Sequence, residues 1–305
     1  MAKQMIWTTQ DIPDQTGKTI LVTGANAGLG FESSRVMAGK GAQVIMACRN
    51  MDYGREAEAR ILSQHPEAKL DLRHIDLTDY VGIKQVAQDI REDYAQLDIL
   101  MNNAGMNRFM RGETSEGFEL TLASNHLGHF ALTRHLFPLL QASAPSRVVT
   151  TSSTAHLKAS IDFDDLMLNE SYSMMIAYGQ SKLANLMFAK ELQRRIDSAD
   201  LNMLSIAVHP GLIRTNMMYR FGSRSNLYRR LLDLLAGPMT ESAEVGVRTQ
   251  LYAASAQDVE GGGYYNPNTE GTPEIGYSTS LANDPEIAAR LWQVTEDLLD
   301  LKFDL

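Results

Sequence analysis

Short apolar, β-branched runs alternate with helix-length stretches along most of this chain, and few folds accept that rhythm. Thr19–Thr23 reads as a buried strand, Gly24–Gly30 as a glycine-rich turn, and Phe31–Gly39 as a helix stopped by Gly41. Further strands are expected at Val44–Ala47, Leu70–Ile75, Leu97–Met101, Arg147–Thr151, Met203–Val208 and Gly263–Tyr265. Helices are expected between them over Asp52–Gln64, Ile83–Tyr94, Gly117–Leu140, Ser173–Ser198 and Ser242–Ser255. Parallel strands need a crossover, and a helix supplies it, so the expected fold is α/β and doubly wound. It would hold a seven-stranded parallel sheet with helices on both faces, in three layers. No linker, repeat or low-complexity tract interrupts the series, so residues 1–305 read as one domain. Two stretches break the beat: an insertion over about 156–170 and a long connection over 217–238. Loops of that length inside a domain usually border a site.

Composition narrows the function classes. A 44% hydrophobic and 21% charged chain can bury a sizeable core. A net charge of −9 argues against a nucleic-acid partner, which calls for a basic stripe. The lone Cys48 excludes an intrachain disulfide and fits a reducing compartment. Met1–Gln10 lacks the apolar core of a signal peptide, and no segment reaches the roughly 18 apolar residues that span a bilayer. The reading is a cytoplasmic protein without stable membrane insertion.

The turn between the first strand and first helix carries chemistry. In Thr23-Gly24-Ala25-Asn26-Ala27-Gly28-Leu29-Gly30 the glycines permit a tight bend and close approach of a pyrophosphate. The helix start adds free N–H groups and the positive end of the dipole. A packing-only glycine turn is the plain alternative; the strand before it and the helix after it favour a Rossmann-type dinucleotide cradle. After the second strand stands Cys48-Arg49-Asn50, with no acid to bond a ribose 2′-hydroxyl. Arg49 suits a 2′-phosphate, so NADP(H) is expected over NAD(H).

Tyr178 and Lys182 stand four apart on an expected helix and therefore share a face. A cation beside a phenol favours the phenolate and would lower its pKa from about 10 toward proton exchange near neutrality. A lone Tyr-x-x-x-Lys pair is weak, but other polar groups fall on the same rim. Asn102-Asn103-Ala104-Gly105, Ser152-Ser153 and Pro210-Gly211 each follow a strand, at the C-terminal sheet edge where ligands bind.

With these five motifs in order, from about Gly17 to Tyr265, the chain resembles the short-chain dehydrogenases/reductases. It is most similar to their retinol dehydrogenase, WW-domain oxidoreductase and protochlorophyllide reductase group, through Ala47-Cys48-Arg49, Asn125-His126-Leu127-Gly128-His129-Phe130 and Ser181-Lys182-Leu183-Ala184-Asn185. The resemblance implies hydride transfer between the nicotinamide of NADP(H) and a small-molecule carbonyl or alcohol. Tyr178 would be the general acid/base, Lys182 would bond the nicotinamide ribose and keep Tyr178 acidic, and Ser153, the second serine of its pair, would orient the substrate oxygen. Asn125 would support a water-linked proton relay. Gly24, Asn26, Gly28, Leu29, Gly30 and Arg49 would line the phosphate side. Asp76 and Leu77 would contact the adenine, and Asn103, Ala104 and Gly105 the adenosine and ribose. Pro210, Gly211, Ile213 and Thr215 would flank the nicotinamide. The family also implies a homodimer or homotetramer packed through the helices at 117–140 and 173–198. Ser153 and Tyr178 are 25 residues apart, about twice the spacing in many members; the insertion at 156–170 accounts for it.

Other signals read more plainly. His126, His129 and His135 lack the Cys, carboxylate or His-x-x-x-His partners of a metal site, so no metal is expected. Asp162, Asp164 and Asp165 read as solvated loop, His209 as a hydrogen-bonded structural histidine and Cys48 as a small buried hydrophobe. Met217, Met218, Tyr219 and Phe221 suggest a lipophilic substrate, and the Arg-rich stretch over 220–232 a solvated lobe. Two alternatives stay open: a dinucleotide-binding sensor or scaffold with little turnover, and a carbon–carbon double-bond reductase.

Overall fold

A computed structural model of the chain describes residues 6–211, 243–268 and 272–305. Its eight strands form one sheet in the order β3-β2-β1-β4-β5-β6-β7-β8. They are β1 (Thr19–Thr23), β2 (Gln43–Cys48), β3 (Lys69–His74), β4 (Ile99–Asn102), β5 (Ser146–Thr151), β6 (Met203–Val208), β7 (Tyr264–Asn266) and β8 (Glu274–Ile275). The first seven pair in parallel. β8 is an addition to the expected seven: two exposed residues that pair antiparallel on β7, too short for an alternating pattern to show.

The central strands β1 and β4 are buried throughout because helices cover both faces. Ile20, Val22, Val44, Met46, Ile99 and Met101 enter one core; Leu21, Ile45 and Leu100 enter the other. The period-2 alternation of a strand splits one sequence between two cores. Helices α1 (Gly28–Gly39) and α2 (Met51–Gln64) supply Met37, Ala57 and Ile61 to the first. α3 (Tyr80–Asp93) and α5 (Gly128–Ala142) supply Ile83, Ile90 and Leu136 to the second. α6 (Met174–Ser198) adds Leu192 there, and α7 (Ala243–Ser255) adds Leu251 to the first core.

Strand order reverses between β1 and β4, so a crevice opens at their C-terminal ends. That reversal brings the turn after Thr23 beside the loop after Asn102.

Three local differences from the sequence reading have clear causes. The helix expected from Gly117 begins at Leu120, as α4 (Leu120–Leu122). Gly117 itself takes φ +87° in a turn, and the Glu119 carboxylate caps the helix by accepting from Thr121 N and Leu122 N at 2.8 Å each. A π-helical turn, Ala123–Leu127, separates α4 from α5. At the C-terminus α8 (Pro285–Leu299), absent from the expected series, starts with an Asp284 cap and a proline in its first turn. α8 lies against the helices named above for self-association: Trp292 stacks on Phe188 of α6 at 5.7 Å and meets Phe130 of α5 edge-on at 4.8 Å. The chain's own C-terminus thus occupies part of that face. Among the described residues no helix is long and apolar enough to cross a membrane.

Candidate functional site

The glycine turn is held from below. Thr23 Oγ1 accepts the N–H groups of Asn103 and Ala104, both at 2.9 Å, and Asn103 Nδ2 donates to the Thr23 carbonyl at 2.7 Å. Gly24 and Gly28 adopt positive φ, +69° and +56°. At Gly30 a Cβ would stand 2.3 Å from the Gly24 carbonyl oxygen and 2.6 Å from Asn103 Nδ2, so only glycine fits. The start of α1 has no side-chain cap, whereas Asn50, Asp79 and Asp284 cap α2, α3 and α8. Uncapped N–H groups behind a bend that excludes side chains suit a pyrophosphate. Asn26 and Gly28 are half-buried in this turn, while Leu29 is buried in the core.

Arg49 lies at the end of β2, exposed, with no hydrogen bond or ion pair to any described residue. Cys48 beside it is buried, its thiol pushed up to about 12 by desolvation, as expected of an inert packing residue. The Asp76 carboxylate is engaged by Thr78, accepting from its N at 3.0 Å and its Oγ1 at 2.7 Å. Leu77 is buried beneath α5, its carbonyl 2.1 Å from where a Cβ on Gly128 would lie. Gly105 is half-buried behind Ala104.

On the opposite side of the crevice Ser153, Tyr178 and Lys182 come together. Ser153 follows β5, and its hydroxyl stands close enough to the Tyr178 phenol to favour the phenolate. Its neighbour Ser152 points the other way and donates to the Lys182 carbonyl at 2.7 Å, tying β5 to α6. Ser153, not Ser152, therefore faces the phenol. Lys182 is 2% exposed. Its Nζ donates to the Thr151 carbonyl at 2.9 Å and sits 5.7 Å from the centre of the Tyr178 ring. Burial lowers Lys182 to about 8.

Burial raises the Tyr178 phenol, and the Ser153 hydroxyl opposes that shift. Lys182 Nζ donates to a backbone carbonyl of β5.

Asn125 sits in the π turn with its side chain fully engaged. Its Oδ1 accepts from Met106 N at 2.7 Å, and its Nδ2 donates to the Met106 carbonyl at 2.9 Å and to Ser181 Oγ at 3.0 Å. The three histidines form no metal site among the described residues. His129 bridges the Asn125 carbonyl and Thr23 Oγ1 at 2.9 Å each, and His126 Nε2 meets Thr295 Oγ1 at 3.1 Å. Burial lowers His126 to about 4 and His129 to about 3, so both are neutral. The acidic loop is likewise self-contained, with Asp162 and Asp165 accepting from nearby backbone N–H groups.

The 156–170 insertion packs against the mouth. Tyr172 Oη donates to the Arg108 carbonyl at 2.6 Å, and Arg111 Nη2 to Asn169 Oδ1 at 2.7 Å. Phe109, Met110, Leu157, Met175 and Ile176 are exposed there. Pro210 and Gly211 follow β6, with Gly211 at φ +87°. Ile213, Thr215 and the whole 217–238 segment lie outside the described residues. The sequence reading missed Gln250 of α7, fully buried behind Asn103 and Thr151. It also missed the unpaired buried atoms His156 Nε2 and Tyr264 Oη, and His209, expected to be a hydrogen-bonded structural histidine, has no partner for its Nδ1 among the described residues.

Comparison with known proteins points to one family. The family model for short chain dehydrogenase matches residues 18–225. Retinol dehydrogenase 12 of mouse is 36% identical over 290 residues, covering 94% of this chain and 88% of that protein. Human retinol dehydrogenase 13 is 36% identical, covering 94% and 86%. A crystal structure of an uncharacterised protein from Mycobacterium paratuberculosis superposes with TM-score 0.80 at 36% identity, over 99% of this chain and all of that one. A short chain dehydrogenase from Escherichia coli CFT073, solved with NADPH, shares the fold at TM-score 0.64 and 22% identity, over 85% of this chain and 99% of that one.

Proposed function

Because the chain belongs to the short chain dehydrogenases, we propose that it is an NADP(H)-dependent oxidoreductase interconverting a lipophilic carbonyl and its alcohol. The observation that carries the proposal is the meeting of Ser153, Tyr178 and Lys182 across the crevice from an uncapped, glycine-rich turn. The family binds a nicotinamide dinucleotide, which when bound supplies or accepts the hydride. Gly24, Gly28, Gly30 and the start of α1 would hold its pyrophosphate, and Asn103, Ala104 and Asp76 its adenosine side. Arg49 would hold a 2′-phosphate: it is exposed, unpaired among the described residues, and no acid replaces it at the end of β2.

In the reductive direction Tyr178 Oη donates its proton to the substrate oxygen. Burial keeps that proton in place until the oxygen becomes basic. Ser153 Oγ, close to the same phenol, orients the oxygen. Lys182, charged at neutral pH even after its shift to about 8, stabilises the phenolate left behind. Asn125, locked to Met106 and Ser181, supports reprotonation as a fixed scaffold. The names of the retinol dehydrogenase relatives and the apolar side chains at the mouth both favour a lipophilic substrate.

The test is a panel of retinal, medium-chain aldehydes and steroids, followed by NADPH absorbance. Wild-type chain is expected to consume NADPH with the apolar carbonyls. Tyr178→Phe is expected to lose about a thousandfold in kcat while its NADPH affinity stays within about twofold. Turnover surviving in that variant overturns the assignment of the proton donor.

A further inference from the structure

Donor and acceptor arithmetic singles out Gln250. The Thr23 carbonyl can only accept, so Asn103 must present Nδ2 to it, at 2.7 Å. Asn103 Oδ1 then faces α7, and Gln250 must present Nε2 to that oxygen, at 2.9 Å. The same Nε2 donates to Thr151 Oγ1 at 2.8 Å, and Gln250 Oε1 accepts from Ser33 Oγ of α1 at 3.3 Å. Each end of a fully buried amide is thereby used, which fixes its orientation.

The two groups bonded by Nε2 belong to opposite halves of the crevice. Asn103 clamps the glycine turn through Thr23. Thr151 carries, on its carbonyl, the Nζ of Lys182 at 2.9 Å and Asn185 Nδ2 at 3.1 Å. One amide nitrogen of α7 joins them.

We propose that Gln250 is a positioning residue that couples the adenosine half of the cofactor bed to the nicotinamide half. The inference rests on the reading of Asn103 and Lys182 given above. A bound dinucleotide spans both halves and gains from having them held at a fixed separation. A ligand occupying one half gains only from local order. Gln250 touches neither ligand nor reacting atoms; it acts through Asn103 and Thr151.

The test compares dissociation constants for NADPH and for 2′-phospho-ADP-ribose, which lacks the nicotinamide, in wild type and Gln250→Met. The expected result is about a tenfold loss for NADPH against about a twofold loss for the half-ligand. Gln250→Glu, of the same shape but without donors, is the second variant and is expected to show the same order. Ser33→Ala, which removes only the bond to α1, is expected to leave both constants within about twofold. Equal losses on both ligands, no loss on either, or the same pattern in Ser33→Ala overturns the coupling. NADH and ADP-ribose form a parallel pair. Tighter binding of that pair by wild type sinks the cofactor preference while the coupling is read from the parallel pair; no binding at all by wild type overturns both readings.

Discussion

The two sides of the crevice differ in how their central polar atoms are paired. Beneath the glycine turn, Thr23, Asn103 and Gln250 each have their polar atoms paired, and a buried network so satisfied is rigid. Beside Tyr178, polar atoms are buried without partners among the described residues: His156 Nε2, His209 Nδ1 and Tyr264 Oη. Lys182 is a buried cation whose one hydrogen bond among the described residues goes to a neutral carbonyl. An unpaired buried polar group costs about 1–3 kcal/mol. One side therefore gives the fold its stability and its shape, and the other holds desolvated groups ready for chemistry.

The strongest way to break that contrast is Gly30→Ala on the paired side. Its Cβ would meet the Gly24 carbonyl oxygen at 2.3 Å, and neither that backbone nor the amide of Asn103, 2.6 Å away, can yield without losing the bond to Thr23. Titration with NADPH is expected to show about a hundredfold weaker binding, about 2.7 kcal/mol. Unfolding is expected to fall by about 1–3 kcal/mol from overpacking. Unchanged affinity would mean that the turn does not hold the phosphates.

Arg49 sharpens the comparison, because it too is unpaired among the described residues but sits in water, where being unpaired costs nothing. Arg49→Ala is expected to leave thermal stability within about 0.5 kcal/mol. The preference for NADPH over NADH, read as a ratio of kcat/KM, is expected to fall about thirtyfold, the worth of a charge-assisted phosphate contact. An unchanged ratio removes the argument for a 2′-phosphate.

How much of this was legible depends on how local the signal was. The alternating strands announced themselves because each residue choice, Val22 for one core and Leu21 for the other, is dictated by the pleat. The glycine turn and the Tyr178–Lys182 pair were legible because chain neighbours carry them. α8 was missed although Asp284-Pro285-Glu286 is a helix start with cap and proline. Gln250 could not have been found: its partners lie 147 and 99 residues away, and no spacing links them. The surroundings of the phenol were hidden for a related reason. A four-residue spacing predicts that two side chains share a face, but not that Lys182 Nζ donates to the Thr151 carbonyl or that burial raises the phenol.

The unpaired side can be tested at Lys182. Its pKa falls from 10.5 unfolded to about 8 folded, so folding disfavours the charged form. Below pH 8 both states carry the proton and the full cost is present. Between pH 8 and 10.5 the folded state releases its proton first, the unfolded state binds more protons, and stability rises with pH. Lys182→Met keeps the stem, removes the charge, and leaves the Thr151 carbonyl its bond from Asn185 at 3.1 Å. At pH 7 this variant is expected to be more stable than wild type by about 1 kcal/mol, a rise in Tm of about 2–4 °C. Its stability should also lose the upward slope above pH 8, while its turnover collapses. A variant that melts lower than wild type at pH 7 would show that Lys182 stabilises the fold, and the division of labour across the crevice would not hold.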